Sequence, residues 1–381
     1  MKIKVTRLAV AAIFAASFAM IFSVKVLSDG VKLTVNDISA VSAILIEADS
    51  GDTVFDKSAD TRLPMASTTK IMTAIVAIES GDVDRNVQIA PEAVGVEGSS
   101  IYLKHGESLT LRELLYALML ASANDAAAAI AYDVAGGIDE FAELMNVKAK
   151  SLGLTDTHFT NPHGLNSAEH YTTARELAVI TAYAIKNELF REIVSTKTYK
   201  ITSPNEGEIR VLVNHNKLLR SYDGAVGVKT GYTMDSGRCL VSSAERDNVI
   251  MIAVTLDAPN DWSDHKKLLD FGFEKYESQA LAEEGQFYCD VPCIGGNKSY
   301  VSCTNKETLR ITLPKGTTVA ARIEADRYFP APVKKGDAIA SVKFFCYGRE
   351  IARIPLLAEY DVAEGRTKLT FFEKILQLFG R

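Results

Sequence analysis

Ser67 and Lys70 stand three residues apart in the stretch PMASTTKIMTA, residues 64–74, which otherwise reads as an apolar helix. In a helix, positions i and i+3 share a face, so a hydroxyl and an amine meet at one edge. An unprotonated lysine there can take the hydroxyl proton and leave a nucleophilic oxygen. That requires a lysine pKa well below its solution value, which burial and a second cation supply. A serine near a helix N-terminus also gains from the positive end of the dipole as negative charge develops. The spacing alone says little, because Ser263 and Lys266 share it and have no evident role.

Two further signals single out the first pair. Ser122-Ala-Asn124 falls at a break between two helical runs, where side chains point into a cleft, whereas Ser203-Pro-Asn205 lies in a loop-like stretch. Lys229-Thr230-Gly231 falls in a strand-like run, and no other Lys-[Ser/Thr]-Gly occurs in the chain. Glycine within a strand marks a close backbone approach, here expected of a ligand. Lysine beside it offers a cation to a carboxylate. His158, His163 and His170 are spaced by five and seven, with no His-Glu-x-x-His, so no metal site is expected. His163 belongs to a turn at Pro162-His-Gly164 and His170 to a helix approach.

The elements that must hold these residues are legible from periodicity. Residues 40–57 form a hairpin around Ser50-Gly51-Asp52. Ile71, Ile75 and Ile78 recur at helical spacing, and Gly81 ends that run. Thr110 and Glu113 form a capping box ahead of Leu111, Leu114, Leu115 and Leu118. Thr173 and Glu176 repeat it, and residues 139–152 form a helix between them. Three successive strands follow over 225–257, then a helix over 262–276. The expected fold class is α+β: an antiparallel sheet flanked by helices, with a helical subdomain inserted between the N-terminal hairpin and the later strands. Beyond 277, short strands separated by Gly-Gly-Asn, Pro-Lys-Gly and Lys-Lys-Gly turns indicate a small all-β domain.

The chain's 381 residues suit about two domains, and a net charge of −6 without long runs of one sign excludes a basic nucleic-acid surface. Lys2, Lys4 and Arg7 precede an apolar run of seventeen residues, Leu8 to Val24. Residues 1–29 therefore read as an export signal peptide, or as an uncleaved signal anchor, although about 20 residues is the usual span. Cys289, Cys293, Cys303 and Cys346 fall in the last third of the chain. In an exported protein they either pair, in one of three ways, or serve as small buried hydrophobes. At the far end, Phe371, Phe372, Ile375, Leu376 and Phe379 share one helical face. Residues 366–381 thus read as an amphipathic helix suited to a membrane surface.

The trio of motifs is the signature of penicillin-binding proteins and class A β-lactamases. With NPHGL at 161–165, HYTTARELA at 170–178 and GVKTGYT at 227–233, the chain resembles the D-alanyl-D-alanine carboxypeptidases, low-molecular-mass penicillin-binding proteins. The resemblance implies a β-lactamase/transpeptidase-like fold, with a serine-type catalytic domain at 38–276, a β-sandwich-like domain at 277–365 and a membrane-associating helix at 366–381. It implies that Ser67 is acylated, that Lys70 is its base and that Ser122 relays a proton to the leaving D-alanine. Asn124 would hold the substrate backbone, Lys229 and Thr230 its terminal carboxylate, and Gly231 would line the substrate's path. The backbone N–H groups of Ser67 and Tyr232 would form the oxyanion hole. No cofactor or metal is implied. The partners would be the D-Ala-D-Ala terminus of the peptidoglycan stem peptide, β-lactams and a membrane surface, with no nucleic acid. The location would be the extracytoplasmic face of the cytoplasmic membrane. A β-lactamase is the nearest alternative, but its Glu-x-x-Leu-Asn segment has no match in THFTNPHGLNSAEHYTT. A non-catalytic penicillin-binding sensor would need neither a nucleophile nor a base.

Overall fold

The computed structural model describes residues 32–202 and 209–365. The N-terminal segment 1–29, the tail 366–381 and the Ser203/Asn205 pair lie outside the described residues. Among the described residues, no helix is long and apolar enough to cross a membrane.

The hairpin expected at 40–57 is made by β1 (Ser42–Glu47) and β2 (Thr53–Lys57), with Gly51 at φ +74° in its turn. A single 3-10 turn, Ala66–Thr69, then carries Ser67, and helix α1 (Lys70–Glu79) starts only at the lysine. The short strands β3 (Asn86–Gln88) and β4 (Ser108–Thr110) pair and deliver the chain to α2 (Leu111–Leu120). The capping box at the start of α2 is complete: the Thr110 side chain accepts from Glu113 N, and Thr110 N donates to Glu113 Oε2 at 2.8 Å. Helices α3 (Asn124–Ala135) and α4 (Ile138–Ser151) follow, then α5 (Ala174–Ile185) and α6 (Glu188–Ser195).

At α5 the expected second capping box is only half made. Thr173 accepts from Glu176 N, but the Glu176 carboxylate turns away to Thr155 N, Asp156 N and Thr157 Oγ1. A loop with free donors competes for that carboxylate, and the tertiary contact wins. The chain continues through the hairpin β5 (Thr198–Thr202) and β6 (Ile209–Val213) and the one-turn helix α7 (Leu218–Ser221). It then forms β7 (Ala225–Thr233), β8 (Gly237–Arg246), β9 (Val249–Leu256) and α8 (Asp261–Lys275).

The main sheet has the order β2-β1-β9-β8-β7 and is antiparallel throughout. Its central strands are buried on both faces, and the period of two sorts their side chains between two cores. Ala43, Leu45, Met251 and Ala253 pack with Leu268 and Leu269 of α8. Ile44, Ile46, Ile252 and Val254 pack into the larger core of the helical block. Two layers of helix thus enclose one sheet, as the α+β class requires.

Strand β10 (Tyr276–Ala282) begins immediately after α8, so Tyr276 belongs to a strand rather than to the end of a helix. Strand β10 pairs with β13 (Leu309–Pro314). The other strands are β11 (Tyr288–Ile294), β12 (Tyr300–Thr304), β14 (Ala320–Ala325), β15 (Phe329–Pro330), β16 (Ala338–Cys346) and β17 (Arg349–Ala358). They form a six-stranded sheet of order β14-β16-β17-β12-β11-β15. Val291, Val301, Val342, Phe344 and Leu356 build this all-β region's own core.

Candidate active site

The turn that carries Ser67 is tied by its neighbours. Thr68 Oγ1 donates to Met65 O at 2.6 Å and Thr69 Oγ1 to Ala66 O at 2.7 Å. The Asn161–Leu165 segment lies against the same turn. Gly164 sits at φ +85°, and a Cβ there would fall 2.0 Å from Ala66 O, so only glycine fits. His170 braces the turn from behind. Its Nε2 lies 2.8 Å from Thr69 Oγ1, whose proton is already given to Ala66 O, so Nε2 carries the hydrogen. Its Nδ1 accepts from Thr160 N at 3.0 Å. Burial holds His170 at about 4, which keeps this tautomer neutral near pH 7.

Lys70 is 0% exposed. Its Nζ lies 3.1 Å from Ser67 Oγ, 2.6 Å from Asn124 Oδ1 and 2.6 Å from His163 O. A neutral amine has two hydrogens and one lone pair. The two carbonyl oxygens can only accept, so they take both hydrogens and leave the lone pair for the Ser67 hydroxyl. Burial, and then the charge of Lys229, hold Lys70 well below the ordinary lysine range, against a smaller opposing pull from Asp125. Asp125 is itself occupied, accepting from Ser100 Oγ at 2.6 Å and Leu103 N at 3.0 Å.

Ser122 stands between α2 and α3 at φ +59°, the break read from the sequence. Two residues on, Asn124 is locked at both ends of its amide: Oδ1 accepts from Lys70, and Nδ2 donates to Glu97 O at 2.6 Å. Lys229 on β7 is 1% exposed and donates to Thr230 O at 2.9 Å; burial lowers it to about 7. At Gly231 the chain itself makes a close approach. A Cβ there would stand 3.1 Å from Ala66 Cβ and 3.1 Å from Ser67 N. The missing side chain lets β7, the edge strand of the sheet, lie against the turn that carries Ser67.

A cavity of about 400 Å³ opens over this cluster. Ser67, Ser122, Thr230, Gly231 and Tyr232 line it, while Lys70, Asn124 and Lys229 lie behind its wall. Ser263 is exposed on α8, whose inward face belongs to Asp264 and His265, so the second Ser-x-x-Lys pair faces away. Sequence motifs did not reveal Ser99, His215, Lys217, Arg238, Asp261 and Trp262, which complete the wall. Arg238 Nη2 is 2.9 Å from the buried Asp261 Oδ2, and Asp261 Oδ1 accepts from Trp262 N at 2.9 Å. Strand register was the available signal. Arg238 is the partner of Tyr232 across the β7–β8 turn, which puts it diagonally beside Thr230 on the same face.

Comparison with known proteins agrees with this geometry. Residues 29–260 match the D-alanyl-D-alanine carboxypeptidase family, and residues 276–364 match the penicillin-binding protein 5 C-terminal domain. The chain is 34% identical over 349 residues to the D-alanyl-D-alanine carboxypeptidase DacF of Bacillus subtilis, covering 88% of this chain and 89% of that protein. It is 32% identical to DacC of Escherichia coli, over 86% of this chain and 85% of that one. Among solved structures, penicillin-binding protein 5 of Haemophilus influenzae superposes with a TM-score of 0.66 at 30% identity, covering 87% of this chain and all of that one. A Streptomyces K15 DD-transpeptidase mutant superposes at 0.60 and 36% identity, over 64% of this chain and 100% of the other. By sequence and by fold, the chain belongs to the D-alanyl-D-alanine carboxypeptidase family of serine-type penicillin-binding proteins.

Proposed function

We propose that the protein removes the terminal D-alanine from peptidoglycan stem peptides through an acyl-enzyme on Ser67. The observation that carries this reading is the triple contact of Lys70 Nζ with Asn124 Oδ1, His163 O and Ser67 Oγ. It presents a neutral amine's lone pair to a hydroxyl that faces a cavity. Ser67 Oγ attacks the carbonyl of the penultimate residue while its proton passes to Lys70. The backbone N–H groups of Ser67 and Tyr232 receive the oxyanion, each such donor contributing roughly 3 kcal/mol. The C–N bond then breaks, and a proton delivered through Ser122 leaves with the D-alanine amine. Water, activated by Lys70, attacks the ester and restores Ser67. β-Lactams carry the same acyl-amide chemistry and block Ser67 covalently.

The substrate's free carboxylate is read by Thr230 and Arg238, and Asn124, behind the wall, holds the Lys70 amine in place. Lys229 lies behind the wall with its pKa near 7, so its part is to supply field to Lys70 and hydrogen bonding to Thr230. Asp261 fixes the orientation of the Arg238 guanidinium. This replaces the expectation that Lys229 itself meets the carboxylate. The site works outside the cytoplasmic membrane after export, with residues 366–381 resting on the membrane surface.

Intact-protein mass spectrometry after incubation with a β-lactam tests the assignment. The wild type gains one adduct, and Ser67→Ala gains none and releases no D-alanine from a D-Ala-D-Ala peptide, with its fold retained. A normal adduct on the alanine variant would refute the role of Ser67.

A further inference from the structure

The four C-terminal cysteines allow three pairings, and strand register separates them. Cys289 on β11 and Cys303 on β12 are direct partners in the antiparallel ladder, and their Sγ atoms lie 3.2 Å apart. Cys293 instead faces Phe329, and Cys346 faces Arg349 at the far end of the β16–β17 hairpin. Both members of the close pair are free thiols, Cys303 buried and Cys289 half-buried. Cross-strand partners need only a small inward movement to reach a bond of about 2.05 Å.

We propose that Cys289 and Cys303 form a thiol–disulfide couple that cross-links β11 to β12 by exchange with an external disulfide, either a small molecule or an oxidoreductase. Cys289 is the thiol that solvent can reach, so it attacks first. Its thiolate displaces one thiolate from the external disulfide and leaves a mixed disulfide on Cys289. Cys303 then loses its proton and attacks Cys289 Sγ, forming the internal S–S bond and expelling the second thiolate. Two protein thiols and one external disulfide thereby become one internal disulfide and two external thiols. Burial, followed by the hydrogen bond with Cys289, pushes Cys303 up to about 12, so it suits the second step and not the first. The link ties β12, which lies between β17 and β11 in the six-stranded sheet, to its neighbour. It would stiffen the all-β region without touching the Ser67 cavity.

The test uses the full chain in detergent, incubated with oxidised glutathione and then alkylated. The expected result is a mass loss of ~2 Da with no retained glutathione, a proteolytic fragment joining the segments around Cys289 and Cys303, and three alkylated cysteines. Cys293→Ser and Cys346→Ser retain that link, whereas Cys289→Ser and Cys303→Ser each abolish it. Alkylation of all five cysteines after oxidation, glutathione retained on Cys289, or a link through Cys293 or Cys346 would each overturn the proposal. None of these readouts depends on peptidase activity, so they stand apart from the function proposed for Ser67.

Discussion

Lys70, Lys229 and Arg238 stand in or behind the wall of one cavity, and they differ in what their burial permits. Lys70 and Lys229 are sealed from water, and each sits below the usual lysine range for that reason first. Lys229 adds a second, electrostatic lowering of Lys70. With neutral Lys70 as the proposed base, kcat/KM is expected to rise as pH rises through its pKa. Replacing Lys229 with methionine removes a neighbouring positive charge, so the Lys70 pKa rises and the acidic limb of the pH profile moves to higher pH. An unmoved limb would sink this electrostatic role. Arg238→Ala is expected to behave differently. It loses at least about tenfold in kcat/KM on a free-acid peptide, as fits a charged hydrogen bond of roughly 1.5–3 kcal/mol. On the amidated peptide it changes little. Equal losses on both peptides would show that Arg238 does not read the carboxylate.

At the scale of elements, the proposed nucleophile Ser67 depends on a turn that its own sequence does not stabilise unaided. Ala66 holds φ +46°, an uncommon conformation for alanine, within a 3-10 turn that precedes α1. The surrounding segments impose it: the Asn161–Leu165 loop from one side, β7 from the other and His170 from behind. Gly164 is where this support is tightest. Gly164→Ala combines a positive φ with a Cβ that collides with Ala66 O, a backbone atom that cannot swing aside. The expected cost is on the order of 1–3 kcal/mol of stability. A second cost follows, at least a tenfold loss in acylation rate, because His163 O and Ser67 shift relative to Lys70. Thermal melting and stopped-flow β-lactam acylation measure the two. Wild-type values in both would mean that the loop tolerates a side chain there.

For the whole molecule, one sheet enclosed by helices carries the site at its β7 edge, and an all-β region follows it directly through β10. Deleting residues 366–381 should release the mature protein from anionic vesicles while leaving hydrolysis of soluble peptide intact. Burying five large apolar side chains in an interface contributes several kcal/mol at about 25 cal/mol per Å². Lys368, Lys374 and Arg381 add attraction to anionic lipid. Sedimentation of both forms with liposomes decides it: equal pelleting would place the anchor elsewhere, and unfolding of the truncation would show that the tail belongs to the core.

The sequence by itself determined the elements and the order of the motifs, because these rest on local rules. Strand-like runs with short turns marked β7, β8 and β9, the helical period marked α1 and α2, and Thr110 with Glu113 marked a helix start. The three motifs together singled out Ser67 and Lys70. What only the tertiary structure decided depends on distances between residues far apart in the chain. The Glu176 carboxylate left its capping box for donors twenty residues away. Lys70 was pushed well below the ordinary lysine range by burial and then by Lys229, on another element altogether. Arg238 joined the cavity and Cys289 met Cys303 through strand register, while Asp261 reached the cavity from the start of α8. Gly231 lets Ala66 and Ser67 come close, a contact its sequence neighbours do not announce. Local periodicity encodes which face a side chain takes, whereas packing fixes what stands opposite it, and pKa and ligand shape follow from the latter.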